Sequence, residues 1–241
     1  MYVPLLTFLI ASASIADTAL SAEDALHVGR MKVTIMPEYD SQSVLVVQEG
    51  KFSDRTAFPQ HVKFVIPKGV EKLTDACSLS PGGQHFCQLY DITKGEDRNF
   101  VKVGLPYSDF FIDYQYSPFK IKENSKRDFS FSVSTFYDIA TLEVSIQVPY
   151  RVQDFSVIPV PTEKYMKKDF EYLKYTFTNV NANDEKVFQI TYFKEDTRPS
   201  VDIKYTSMST QGFFGKNIGE LLLATGIVVL AAVFYLRRKK T

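Results

Sequence analysis

The 241-residue sequence has few of the residues, and none of the motifs, that mark common enzyme families. It contains two cysteines and three scattered histidines, and its 28 basic side chains are balanced by 28 acidic ones. It has no Gly-x-Ser-x-Gly elbow, no His-Glu-x-x-His pattern and no phosphate-binding loop. A chain without net charge also lacks the electrostatic footprint of a nucleic-acid binder. The sequence therefore predicts no enzyme, no catalytic residue, no cofactor and no nucleic-acid partner.

The two cysteines bracket a strong turn signal. Cys77 and Cys87 lie on either side of Pro81-Gly82-Gly83, so the flanking segments are expected to pair as a hairpin and bring the sulfurs together. Outside the cytoplasm such a pair forms a disulfide. Two alternatives stay open: a copper or zinc site made by Cys77, His85 and Cys87, or two free thiols.

A long uncharged run lies near the C-terminus. Residues 221–236 contain no charged side chain and would measure roughly 24 Å as a helix, slightly less than the hydrocarbon core of a bilayer. Four consecutive cations follow at residues 237–240, and such clusters stay in the cytoplasm. The pattern predicts a transmembrane helix over residues 218–236. The alternative is a buried helix of a soluble domain.

The N-terminus resembles a secretory signal peptide. Residues 4–13 form a short apolar core, and small residues follow up to Ala22. An uncleaved N-terminal anchor or a hydrophobic strand is the alternative. A signal peptide combined with the C-terminal helix predicts a single-pass membrane protein. Its main part, with a charge of about −2, would face the periplasm or the cell exterior, and its C-terminus would be cytoplasmic.

The segments between these two ends alternate between apolar and polar residues with a period of two. This pattern is typical of half-buried strands, and many short strands separated by turns indicate a sandwich or barrel. The fold is therefore predicted to be all-β. The expected strands cover residues 32–35, 43–52, 62–66, 86–92, 99–103, 110–116, 128–136, 142–148, 155–160, 172–178, 187–193 and 201–205.

A weak internal repeat favours two tandem units. Residues 61–67 and 142–149 align on their final prolines, with apolar residues matched at alternate positions. The repeat predicts tandem Ig-like or fibronectin-III-like sandwiches, and one large sandwich is the alternative. The expected organisation is a signal peptide (1–22), a first sandwich (28–107), a second sandwich (108–205), a linker (206–217), a transmembrane helix (218–236) and a cytoplasmic tail (237–241).

Few side chains stand out as candidate ligand contacts. The aromatic segment at residues 110–119 places rings on both faces of one strand, so Phe111, Tyr114 and Tyr116 are candidates for a binding surface. Packing in the core or between domains is the alternative for these rings. Four carboxylates are expected to lie at strand ends and not to form a catalytic pair: Glu38, Asp40, Asp109 and Asp113.

Several short motifs carry a resemblance to a protein group. Segments of uncharacterised bacterial envelope proteins are similar to the following motifs, in this order: Pro-Glu-Tyr-Asp at 37–40, Val-Leu-Val-Val at 44–47 with Gly50, Phe-Val-Ile-Pro at 64–67, Val-Pro at 148–149 and Asp-Phe at 154–155. Those proteins combine a signal peptide, a β-rich ectodomain and a single-helix anchor. The resemblance covers most of residues 31–196 and implies an envelope location. It implies no activity and transfers no catalytic residue.

These features together predict a binding function. The expected role is that of a membrane-anchored accessory or scaffold protein, whose external β domain contacts a protein partner of the envelope. One alternative is metal handling through Cys77, His85 and Cys87. Another is binding to carbohydrate or cell wall through exposed aromatic residues.

Overall fold

The computed structural model describes residues 26–202, in which fourteen strands account for all the regular secondary structure. They are β1 (His27–Pro37), β2 (Val44–Phe52), β3 (Gln60–Pro67), β4 (Asp75–Leu79), β5 (His85–Cys87), β6 (Tyr90–Lys94), β7 (Arg98–Leu105), β8 (Asp109–Tyr116), β9 (Ser125–Val133), β10 (Asp138–Gln147), β11 (Val152–Ile158), β12 (Glu163–Lys167), β13 (Phe170–Val180) and β14 (Lys186–Lys194). The all-β prediction is therefore confirmed.

The predicted terminal segments lie outside the described residues. This applies to the signal peptide (1–22), the linker (206–217), the transmembrane helix (218–236) and the tail (237–241). Residues 26–202 contain no helix of the length and hydropathy that a membrane crossing requires.

The strands form one large sheet and two small ones. The large sheet has eight strands in the order β12-β13-β10-β1-β2-β8-β4-β5, and the small sheets have the orders β11-β14-β9 and β3-β7-β6. The pairing of β1 with β10 is parallel, whereas the other described pairings are antiparallel. Both small sheets pack on the same side of the large sheet, because their inward side chains share one core with it.

The core follows from the alternation in the sequence. Val44 and Val46 of β2 point into the main core, together with Ile112 of β8, while the residues between them point to the opposite side of the large sheet. The main core contains side chains from all three sheets and from both halves of the chain. The fold is therefore one continuous sandwich in which an extended sheet is covered by two smaller ones.

The structure differs from the predicted tandem arrangement. β8, which the boundary at residues 107–108 assigned to a second unit, pairs with β2 on one side and β4 on the other. The two halves also share the large sheet through β1 and β10. The predicted repeat joins non-equivalent strands, because β3 lies in a small sheet and β10 in the large one. Two short apolar strands that end in proline look alike wherever they lie.

Some strand boundaries also differ from the prediction. β4 was not predicted, and the expected strand at 86–92 is divided between β5 and β6. Ahead of the expected strand at 172–178 lies the unpredicted strand β12, and β13 begins two residues earlier than expected. Residues 201–202 of the predicted last strand are not in a strand, and residues 203–205 lie outside the described range.

A buried charged cluster lies where β1 ends. Glu38 accepts hydrogen bonds from the Arg127 guanidinium (3.2 Å), the Tyr192 hydroxyl (2.9 Å) and the Lys194 ammonium (3.0 Å). The side chains of Glu38, Arg127 and Lys194 are completely buried. Because Arg127 lies on β9 and Tyr192 and Lys194 lie on β14, the cluster fastens the end of β1 to a small sheet.

The end of the described chain is attached to the same place. The backbone N–H of Ser200 donates to the carbonyl of Glu38, and that of Val201 donates to the carbonyl of Tyr39, both at 2.8 Å. The chain therefore leaves the sandwich beside the loop between β1 and β2.

Gly50 has a packing role that can be tested. A Cβ at this position would lie 2.5 Å from the ring of Phe110 and 2.6 Å from the carbonyl oxygen of Arg30. We expect Gly50→Ala to lower the free energy of unfolding by about 2 kcal/mol, because overpacking forces ring and backbone apart. Urea denaturation followed by circular dichroism measures this change. Gly69→Ala is the matched control, since a Cβ there meets nothing within 4 Å. Equal stability of the two variants would contradict the prediction.

Candidate functional site on the open face of the large sheet

The candidate site is the side of the eight-stranded sheet that neither small sheet covers, called the open face below. Its side chains alternate along each strand with those that enter the main core. A separate apolar cluster lies at its centre and consists of Met36, Leu45, Val47, Cys77 and Phe111. Polar residues surround this cluster on the neighbouring strands.

Three ion pairs form a charge ladder across the open face. Arg30 pairs with Glu143 at 2.9 Å, Lys32 with Glu49 at 3.3 Å, and Lys51 with Asp109 at 3.4 Å. These pairs connect four neighbouring strands, β10, β1, β2 and β8. The ladder lines a depression of about 420 Å³ whose floor includes Phe111 and Leu79. Charged walls around an apolar floor are suited to a partner that buries a small apolar patch within a polar rim.

The predicted disulfide is present at one end of the open face. Cys77 of β4 lies directly opposite Cys87 of β5, and their sulfurs are bonded. The turn at Pro81-Gly82-Gly83 closes the hairpin as expected, with Gly83 at a φ of 78°. The bond joins the edge strand β5 to the rest of the sheet.

Two carboxylates are buried beside the disulfide. Asp75 of β4 lies directly opposite Asp113 of β8, and the exposed fractions of the two residues are 3% and 0%. Neither carboxylate oxygen of Asp113 has a hydrogen-bond partner among the described residues. Burial, and secondarily the neighbouring charge of Asp75, raises the pKa of Asp113 to about 7. Asp113 is therefore a buried group within a strand, not the strand-end carboxylate that was predicted.

His85 does not complete the predicted three-residue metal site. It lies opposite Leu79, and its ring packs edge-on against Phe111 with the centroids 5.6 Å apart. The atoms that approach closely are instead those of Asp75, Cys77 and Cys87, whose potential ligand atoms lie within 4.8 Å of one another. While the disulfide is intact, neither sulfur is a thiolate that could bind a metal.

Two of the three predicted aromatic contacts belong to the core. Tyr114 and Tyr116 point into the main core, where Tyr114 accepts a hydrogen bond from Gln48 (3.0 Å) and the ring of Tyr116 packs on Phe131. Burial raises the pKa of both hydroxyls. Only Phe111 reaches the open face. The sequence could not identify the inward side, because both sides of β8 carry aromatic residues.

Aromatic rings line the other end of the open face. Tyr165 stacks on Tyr172 with centroids 5.2 Å apart, and Tyr150 stacks on Phe170 at 4.0 Å. Burial, followed by the proximity of Tyr165, raises the pKa of Tyr172 to about 12. Gln147 lies opposite Tyr172 and is 1% exposed, and its side-chain amide has no hydrogen-bond partner within residues 26–202.

No family model and no curated protein matches the chain. Similar solved structures include a putative protease from Parabacteroides distasonis, with 10% identity and a TM-score of 0.42, and an M1 zinc metallopeptidase from Deinococcus radiodurans, with 12% identity and a TM-score of 0.40. Each match covers 69% of this chain but only 40% and 42% of the respective neighbour. The expectation that the chain is not an enzyme finds no support among these neighbours, which are named as a protease and a peptidase, and it is withdrawn.

The most unusual groups of the open face were not singled out from the sequence. Asp75 is the first residue of a short strand that the alternation does not reveal, and Asp113 lies in a strand whose sequence pattern is dominated by aromatic residues. A signal was nevertheless present. An aspartate between Ile112 and Tyr114, in a strand with apolar side chains on both faces, is an unusual place for a charge.

Proposed function

We propose that this chain is a membrane-anchored, extracytoplasmic binding protein whose open face contacts a protein partner of the cell envelope. The observation that carries the proposal is the charge ladder around the depression floored by Phe111 and Leu79. A rim of alternating charges selects the orientation of a partner, and the apolar floor supplies contact area. The role is that of an accessory or scaffold subunit.

The anchoring segments form part of the same proposal. The signal peptide at 1–22 and the transmembrane helix at 218–236 would hold the sandwich at the outer side of a cell membrane, with the C-terminus in the cytoplasm. In this proposal the sandwich is Ig-like or fibronectin-III-like only in one respect: each half of the chain packs a three-stranded sheet on the large sheet.

Site-specific photo-crosslinking in intact membranes tests the contact. A photoreactive amino acid is placed at residue 30 or 49, on the open face, and at residue 187, which is 51% exposed on the outside of a small sheet. We expect one dominant protein adduct from positions 30 and 49 and none from 187. The double variant Arg30→Glu/Lys51→Glu is expected to reduce that adduct at least about fivefold, because reversed charges repel the complementary rim.

The matched control reverses a charge elsewhere. Lys126 of β9 has a 62% exposed side chain and pairs with Asp128, so Lys126→Glu changes the net charge without altering the ladder. The adduct should persist in this variant. Equal adducts from positions 30, 49 and 187, or an equal loss in Lys126→Glu, would refute the open face as the contact surface.

A second candidate function is binding to carbohydrate of the cell wall. The observation that favours it is the aromatic end of the open face, where the Tyr165–Tyr172 pair adjoins the buried amide of Gln147. Aromatic rings beside an amide suit the apolar and polar faces of a sugar. In the crosslinking experiment this alternative gives no protein adduct at residues 30 and 49, while the chain still sediments with purified cell wall.

A further inference from the structure

The disulfide end of the open face brings together four groups that can bind a metal. Asp75 and Cys77 are two residues apart on β4, Cys87 lies opposite Cys77, and Asp113 lies opposite Asp75. Residues directly opposite in antiparallel strands, or two apart in one strand, have side chains on the same face. The four side chains therefore lie on the same face of the sheet, at neighbouring positions of three adjacent strands.

Three of the four groups lie near enough to one another to reach a common metal ion after the disulfide is reduced. The potential ligand atoms of Asp75, Cys77 and Cys87 lie within 4.8 Å of one another. Ligands bound to tetrahedral zinc at about 2.0–2.3 Å lie roughly 3.3–3.8 Å apart. Small side-chain rotations would therefore bring the three donors into coordination distance once the sulfurs are separate thiolates.

Asp113 provides an independent indication of a ligand. Its side chain is completely buried, and neither carboxylate oxygen has a hydrogen-bond partner within the described residues. Burying such a group without a partner is costly, and buried carboxylates in proteins are paired or coordinate metals. It lies directly opposite Asp75 on the neighbouring strand.

We propose that Asp75, Cys77, Cys87 and Asp113 form a redox-gated zinc site, which is closed while the disulfide is intact and binds Zn²⁺ after the disulfide is reduced. Two thiolates and two carboxylates make a four-coordinate donor set of the kind that zinc accepts. The site differs from the sequence-based hypothesis, because Asp75 and Asp113 take the place of His85.

The gating reaction balances with a dithiol as the reductant. A dithiol transfers two electrons and two protons to the Cys77–Cys87 bond, which becomes two thiols, and the reductant becomes a disulfide. Binding of Zn²⁺ to the two sulfurs then releases the two thiol protons to solvent. Reoxidation by a disulfide oxidant, which accepts two electrons from the thiolates and two protons from solvent to become a dithiol, restores the Cys77–Cys87 bond and releases Zn²⁺.

Zinc stoichiometry of the full-length chain tests the proposal. The protein is treated with a phosphine reductant, which has no thiol to compete for zinc, and Zn²⁺ is titrated against a chromophoric chelator. We expect about one zinc per reduced chain and less than about a tenth of that per oxidised chain. Asp75→Asn and Asp113→Asn are each expected to weaken zinc binding by about tenfold or more, because each removes an anionic ligand.

Asp109→Asn is the matched control. Asp109 lies on β8 with Asp113 and on the same face, but it pairs with Lys51. This variant should bind zinc like the wild type. Cobalt supplies a second readout, since thiolate-to-cobalt charge-transfer absorption should appear in the reduced wild type and be absent from Cys77→Ser.

Two results would overturn the proposal. One is a reduced wild type that takes up no more zinc than Cys77→Ser. The other is equal zinc affinity in Asp75→Asn, Asp113→Asn and Asp109→Asn, which would show that the thiols bind metal without the carboxylates. Circular dichroism of each reduced sample checks the fold, and a reduced chain that has lost its strands and does not regain them with zinc also counts against the site.

Discussion

Glu38→Gln is expected to lower the free energy of unfolding by about 3–5 kcal/mol. Glu38 is the shared acceptor for Arg127, Tyr192 and Lys194, and its side chain is completely buried with those of Arg127 and Lys194. Glutamine has nearly the same shape but no charge, so two buried cations lose their common counter-ion. Urea denaturation followed by circular dichroism measures the loss.

Glu171→Gln is the matched control for this change. Glu171 pairs with Lys164 at 3.5 Å, and both side chains are substantially exposed. Exposed pairs contribute about 0–1 kcal/mol, so this variant should unfold almost like the wild type. If Glu38→Gln lost less than about 1 kcal/mol, the cluster could not be what holds the end of β1 against β9 and β14.

The oxidised, metal-free protein is expected to lose up to about 4 kcal/mol of stability between pH 4 and pH 8 through Asp113 alone. The pKa of Asp113 is raised to about 7 in the folded protein, chiefly by burial, against about 3.9 in an unfolded chain. Between these values the folded state holds a proton that the unfolded state has released. Stability is therefore fully present below about pH 4 and is lost as the pH rises through 7.

Unfolding free energies of the wild type and Asp113→Asn, measured from pH 4 to pH 8 in the presence of a chelator, test this. The fall in stability should be present in the wild type and absent from Asp113→Asn, because asparagine does not titrate. Asp109→Asn should retain the fall, since it leaves Asp113 in place. Parallel pH profiles for the wild type and Asp113→Asn would show that Asp113 is not a proton-binding group of the fold.

Most of the strands could be predicted because their signal is local. A period of two in β2, β9 and β14 reports directly which side chains are buried, and prolines and glycines mark the turns. The disulfide could be predicted for the same reason, since its cysteines are only ten positions apart in the sequence and flank a turn. β4 and β12 escaped detection because they have only five residues each, too few for an alternation to stand out.

The arrangement of the strands could not be predicted, because it depends on contacts between distant residues. Nothing local in residues 109–116 indicates that β8 fits between β2 and β4. The same holds for the charged cluster, in which Glu38 meets Lys194 across 156 positions of sequence. The Asp75–Asp113 pair could not be predicted for two reasons. β4 is too short to be recognised, and its pairing with β8 joins segments that are distant in the sequence.

The parallel pairing of β1 with β10 has a consequence for how the protein is made. His27 and Asp138 are partners in this pairing, so more than a hundred residues must be synthesised before β1 can form its second edge. Such long-range contacts raise the contact order and slow folding. Until then β1 presents an unpaired edge that could associate with other chains. The first half of the chain is thus synthesised well before β1 has both of its neighbouring strands. The hydrogen bonding of this half is completed only after β10 has been synthesised.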